Sequence, residues 1–284
     1  MGKGLLSSLR SIGTLWWRLL LILVCLSALA ALAWLLAPSM PGGAAADLQP
    51  LSLAGHHRLL ILAPHCDDET LGSAGLILAA QRAGLQVRVV IATNGDGFYF
   101  ATAQDFRKLR PGTRDYVRMG EIRQQESLAA LKILGLSAQQ VTFLSYPDRG
   151  TPAEWNVNWS IRNPYRSYYN QDTRSPYPLT YDPKSVYAGQ AYLGDLVSIL
   201  KSYRPDLIVY PHPDDVHPDH WGLNAFTRLA IAELNHTDAT FQPAQLTYLV
   251  HRPGFPTVRA SSPRRVWFRP GPCWPSIPTG SAGI

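Results

Sequence analysis

The chain has 284 residues, 46% of them hydrophobic and only 16% charged, which suits one sizeable folded domain with attachments and excludes a chain that stays mostly unfolded. The net charge is +6, but the basic residues are scattered rather than set along one stripe, so no nucleic-acid partner is expected. Three cysteines, Cys25, Cys66 and Cys273, give no disulfide framework.

Lys3, Arg10 and Arg18 precede residues 19–37, an apolar run broken only by Ser27. That run is long enough to span a bilayer as a helix. The basic flank predicts that residues 1–18 are cytoplasmic and that the rest lies on the non-cytoplasmic side. A cleaved signal peptide is the competing reading, with Ala44-Ala45-Ala46 as its cleavage site. The run exceeds a usual signal core and lies far from that site, which favours an uncleaved anchor. Residues 38–55, rich in Pro, Gly, Ala and Ser, read as a linker to a domain at 56–251.

Leu59 to Ala63 reads as a buried strand that stops at Pro64. His65, Asp67, Asp68 and Glu69 then crowd the turn into a helix over Thr70 to Ala83. Such carboxylates repel one another unless a cation or a substrate compensates, although an Asp-capped turn is the plainer reading. Gln86 to Thr93 is the next strand, and Thr93 to Gly97 is a turn-forming cluster. Asp115 to Gly135 reads as an amphipathic helix capped by its glycine. Val141 to Ser145 is a third strand, followed by Pro147 and Asp148.

Residues 150–187 carry many Trp and Tyr with no period. The segment is either a lid, whose polar-tipped aromatics suit sugar faces, or a packed insertion. Ala188 to Tyr203 reads as a helix. Leu207 to Tyr210 is a strand running into His212, Asp214, Asp215, His217, Asp219 and His220. A helix over Asp219 to Leu234 and a strand over Ala244 to His251 follow, and the tail at 252–284 receives no structure. Strands alternating with helices predict an α/β fold, a mostly parallel sheet covered on both faces. Two His/Asp-rich strand ends in such a sheet point to one shared metal site.

The two clusters resemble the two signatures of the PIG-L / LmbE-like de-N-acetylase family, His-Pro-Asp-Asp-Glu and His-Pro-Asp-His. The second stands in full at His217 to His220. The first reads His65-Cys66-Asp67-Asp68-Glu69, with Cys66 where the family has proline. The resemblance covers roughly residues 56–250. It implies a Rossmann-like sheet with the first and fourth strands adjacent, and one Zn2+ per chain held by His65, Asp68 and His220. It also implies Asp67 as general base and His217 as oxyanion stabiliser, with Asp219 orienting and charging the His217 ring. Asp96 in a Thr-x-Gly-Asp turn, Arg123 in an Arg-x-x-Glu pair with Glu126, and Asp148 match substrate-contacting positions. His212, Asp214 and Asp215 would support the ligands or their loop, and Cys66 is an alternative thiolate ligand.

The expected activity is zinc-dependent removal of the N-acetyl group from an N-acetylglucosamine-type glycoconjugate by a membrane-anchored protein. In the eukaryotic members the catalytic domain is implied to face the cytosol, which leaves orientation open. One alternative is a metal-dependent phosphoesterase, whose sites usually hold two metals about 3.5–4 Å apart, whereas the ligands here suffice for one. The other is a non-catalytic, membrane-tethered sugar-binding module.

Overall fold

A computed structural model describes residues 20–27 and 51–251. The chain divides into two units, and the larger, Pro50–Pro253, carries every element named below. Of the expected spanning run at 19–37, residues 20–27 are described and form a helix with exposed apolar side chains. The remainder of that run, residues 1–18, most of the linker and the tail at 252–284 lie outside the described residues. Among the described residues no helix is long and apolar enough to cross a membrane.

Five strands form one parallel sheet: β1 (Arg58–Ala63), β2 (Gln86–Thr93), β3 (Val141–Tyr146), β4 (Leu207–Pro211) and β5 (Ala244–Tyr248). Their order is β3-β2-β1-β4-β5. The central strands are apolar at nearly every position because both faces are covered, as parallel sheets require. Alternate residues serve opposite faces. Leu60, Leu62, Val90 and Ala92 pack with Tyr192, Leu196 and Ile199 of α5 (Gly189–Tyr203) and with Leu223 and Phe226 of α6 (Pro218–Thr237). Leu59, Ile61, Val89 and Ile91 pack on the other face, with Ile77 and Ala80 of α1 (Asp68–Arg82) and Leu131 of α3 (Thr113–Ile133).

From β1 the chain steps outward through β2 to β3. It then returns by way of α5 to place β4 on the other side of β1. The strand order therefore reverses between β1 and β4, and the His/Asp clusters follow those two strands. α1 begins at Asp68 rather than at Thr70, which puts Asp68 and Glu69 in its first turn, where the helix dipole favours carboxylates.

Two short helices were not legible as such, α2 (Tyr99–Asp105) and α4 (Thr151–Asn156). The second lies in the aromatic insertion. There Trp155 meets Phe226 edge-on at 4.9 Å and Trp159 stacks on the same ring at 6.0 Å. Tyr177 and Tyr187 are also buried. Trp155 and Trp159 thus cover α6 and Tyr177 covers Gly120 of α3, as a packed insertion requires, while Tyr168 remains 74% exposed.

Candidate metal and catalytic site

The turn after β1 closes on itself through Asp68. One carboxylate oxygen, Oδ2, accepts the backbone N–H of His65 at 3.1 Å and lies 3.1 Å from His65 Nδ1. From the other cluster, His220 Nε2 reaches the same oxygen at 3.0 Å. His220 stands in the first turn of α6, whose N-terminus is set by Pro218 and by His217, the N-cap, which accepts the Asp219 N–H at 3.3 Å. His65, Asp68 and His220 are all buried.

These three residues have the donor chemistry of a zinc site. Donors bound tetrahedrally at zinc–ligand distances of about 2.0–2.1 Å stand roughly 3.3 Å apart, close to the two separations just given. Asp68 Oδ1 is buried with no hydrogen-bond partner, and His220 Nε2 meets Asp68 Oδ2 without hydrogen-bond geometry, a cost that a bound cation would remove. The far nitrogens are also held as metal-binding histidines require. His220 Nδ1 meets Asp215 Oδ2 at 2.9 Å, and His65 Nε2 meets Asp219 Oδ2 at 3.2 Å and Asp148 Oδ1 at 3.4 Å. The donor groups whose atoms all lie within 4.8 Å of one another are His65, His217 and His220; His65, Asp148, His217 and Asp219; and Asp68, His220 and His251, so His65 and Asp68 fall in separate groups that share His220.

The charge balance is tight. Burial disfavours charge on His65, but Asp148, Asp219 and Asp68 outweigh it and raise its pKa well above 6.5. Burial likewise opposes ionisation of Asp68, yet the two imidazoles hold its pKa well below the usual carboxylate range. His217 goes the other way: burial and the neighbouring His65 push it down to about 4. Its nearest ring neighbour is His65, edge-to-face at 4.6 Å.

The sequence-derived residues are not all placed as the signatures imply. The Asp219 carboxylate binds His65, the Arg149 N–H at 2.7 Å and the Thr151 N–H at 3.4 Å, and its Oδ2 stays 4.0 Å from His217 Nδ1. It buttresses His65, while its charge still favours a proton on His217 against the opposing burial and His65. Asp67 is half-exposed beside the ligand turn, bridged to Arg123 Nη2 at 3.0 Å. Arg123 also donates to the carbonyls of Gly95 at 2.9 Å and Cys66 at 3.2 Å, so it turns to this loop and not to Glu126. Gly95, with φ +61, leaves the guanidinium room; an added Cβ would lie 1.6 Å from Nη1. Asp148 accepts the Gly97 N–H at 2.9 Å and joins the His65 cluster. Asp96 is buried beneath the insertion, accepting from Tyr177 Oη at 2.7 Å and Asn170 Nδ2 at 3.4 Å, and burial together with the Asp148 charge raises it to about 7.

Cys66 is buried, burial pushes its thiol pKa up, and it belongs to none of the donor groups among the described residues. Asp215 and His251 carry more of the site than the sequence reading gave them. Asp215 accepts the backbone N–H groups of His217, Val250 and His251, each at 3.0 Å, and so ties β5 to the ligand loop. The available signals were an Asp two residues before His217 and a His just past the last strand.

A family model described as GlcNAc-PI de-N-acetylase (PIG-L) matches residues 60–231. A Mycobacterium sp. (strain KMS) protein, 1D-myo-inositol 2-acetamido-2-deoxy-alpha-D-glucopyranoside deacetylase, is 32% identical over 177 residues, covering 61% of this chain and 50% of that protein. A Corynebacterium kroppenstedtii protein of the same name is 28% identical, covering 62% and 41%. The chain thus spans half or less of the length of these curated relatives. Among solved structures, N,N'-diacetylchitobiose deacetylase from Pyrococcus horikoshii aligns with a TM-score of 0.42 at 20% identity, over 66% of this chain and 54% of that one, too distant to carry an argument. The family match covers more than half of the chain and contains both His/Asp clusters; the chain belongs to the PIG-L family of GlcNAc-PI de-N-acetylases.

Proposed function

We propose that the protein is a zinc-dependent de-N-acetylase acting on an N-acetylglucosamine-type glycoconjugate. The observation that carries this reading is the convergence of His65 and His220 on one buried oxygen of Asp68, with Asp68 Oδ1 left without a hydrogen bond. His65, Asp68 and His220 would hold the metal. When bound, zinc supplies Lewis acidity that polarises the acetamide carbonyl and makes water nucleophilic at neutral pH.

The chain's own groups perform the proton work. Asp67, beside the ligands and kept in place by Arg123, takes a proton from the attacking water. The water oxygen bonds to the acetyl carbon, and the carbonyl becomes a tetrahedral oxyanion. His217 accepts the Asp219 N–H at Nδ1, so in its neutral form the ring proton sits on Nε2. That N–H stabilises the oxyanion as a neutral donor rather than as a cation. Asp67 then returns its proton to the sugar nitrogen as the C–N bond breaks, releasing acetate and the amine. Asp148, next to His65, is placed to contact the substrate, and Arg123 to position Asp67.

The 2-acetamido sugar and the myo-inositol named in the curated relatives make a GlcNAc linked to a polyol one natural substrate form, with the aglycone open. Residues 19–37 anchor the protein in a membrane, with residues 1–18 cytoplasmic; support comes from the apolar run and its basic flank.

Asp67→Asn tests the chemistry. The variant keeps shape but cannot accept a proton, so acetate release should fall by about 10²–10⁴ with zinc content unchanged. Loss of zinc in Asp67→Asn would make Asp67 a ligand, and full activity would remove it from the mechanism.

A further inference from the structure

We propose that Tyr168 and Tyr169 form the seat for a second ring of the substrate, a sugar or cyclitol linked to the N-acetylated residue. The proposal rests on the de-N-acetylase reading and names the chemistry of the group beyond the scissile acetamide.

Tyr169 stands at the edge of the site. A Cβ added to Gly97 would meet Tyr169 Cε2 at 2.3 Å and Asp148 Oδ2 at 2.8 Å, so the ring and the carboxylate press on the same glycine. Asp148 Oδ1 in turn lies 3.4 Å from His65 Nε2. From Tyr169 the aromatic surface continues outward. Tyr116 lies 5.1 Å from it, and Tyr168 lies 5.3 Å from it with the two rings at 90°.

The exposure of Tyr168 is not that of a loose loop. Ser167 and Asn170, which flank the pair, are buried at 1% and 2%. Ser167 Oγ accepts the N–H groups of Tyr169 at 3.2 Å and Asn170 at 3.3 Å. Asn170 Nδ2 donates to Asp96 and to Tyr187 Oη. A pinned turn thus holds a large ring 74% exposed, edge-on to Tyr169 and with its apolar faces largely unburied.

Two rings at a right angle offer one face and one wall, each ending in a hydroxyl. That matches a saturated polyhydroxylated ring, whose C–H face stacks on an aromatic while its rim hydroxyls seek donors and acceptors. An acyl chain would be served better by Phe100 and Leu109, 75% and 90% exposed, which carry no polar tip. Tyr169 adjoins Asp148 at Gly97 and carries the aromatic surface from there to Tyr168.

The test measures acetate release from N-acetylglucosamine, its β-linked disaccharide, its α-linked myo-inositol conjugate and its octyl glycoside, by wild type, Tyr168→Ala and Tyr168→Phe. Calorimetric titration of the same compounds runs alongside. Wild type should prefer the ring-bearing substrates to N-acetylglucosamine in kcat/KM. Tyr168→Ala should cut that preference by about two- to tenfold through KM, and Tyr168→Phe should restore most of it. If nothing releases acetate but the ring-bearing compounds bind, and bind more weakly to Tyr168→Ala, the subsite stands and the hydrolytic reading falls. An unchanged preference in Tyr168→Ala, a preference confined to the octyl glycoside, or neither turnover nor binding overturns the subsite.

Discussion

Asp219 shows how one signature residue can serve two histidines at once. Its carboxylate lies against His65 and two backbone N–H groups, while its own N–H fixes the His217 tautomer. One residue therefore fixes the ring orientation of one histidine and the proton position of another. Glu154 of α4 is a second acid with a long reach. It is fully buried, neither carboxylate oxygen has a hydrogen-bond partner, and burial plus the nearby Asp219 charge raise its pKa well above 4.5. A raised folded pKa means that the stability contributed by Glu154 is complete below its unfolded pKa and is lost as pH rises toward the folded value. The loss is at most about 1.4 kcal/mol per pH unit. Glu154→Gln, isosteric and uncharged, should therefore gain on wild type between pH 4.5 and pH 8 in urea melts. Parallel profiles would show that Glu154 is ionised and paired in solution.

At the scale of elements, α6 joins the two halves of the account. Its first turn carries His220, and its buried flank carries Phe226, which stacks on Tyr192 at 4.3 Å and takes Trp155 and Trp159 from the insertion. Phe226→Ala should destabilise the fold by about 3–5 kcal/mol in denaturant unfolding, the range for truncating a buried aromatic. A loss below about 1 kcal/mol would mean that the insertion closes the gap by itself. The same elements show what was legible beforehand. β1 and β4 were plain because Leu59 to Ala63 and Leu207 to Tyr210 are buried on both faces and stop at Pro64 and Pro211. α2 and α4 were not, since they span 7 and 6 residues and repeat no apolar face. Thr151-Pro152 was the one helix-start signal in the insertion. The aromatic run looked like surface because Trp and Tyr without a period do not reveal what they pack against. The ligand candidates were legible from two short motifs, whereas Arg123 on Asp67 and Tyr169 on Gly97 depend on pairs far apart in sequence.

At the scale of the whole molecule, the sheet order sets β1 beside β4 and so gathers the donors of two motifs some 150 residues apart around one oxygen. The apolar run at 19–37 would place that site at a membrane surface. Protease added to intact cells should digest the domain while sparing a cytoplasmic control; protection of the domain would reverse the orientation. The most direct measurement for the central claim is zinc content per chain of purified wild type and His220→Ala, read together with far-UV circular dichroism. The account predicts about one zinc per chain in wild type and loss of most of it in His220→Ala with the helical signal preserved. Equal zinc in a folded His220→Ala protein would contradict a metal site built from the two strand ends.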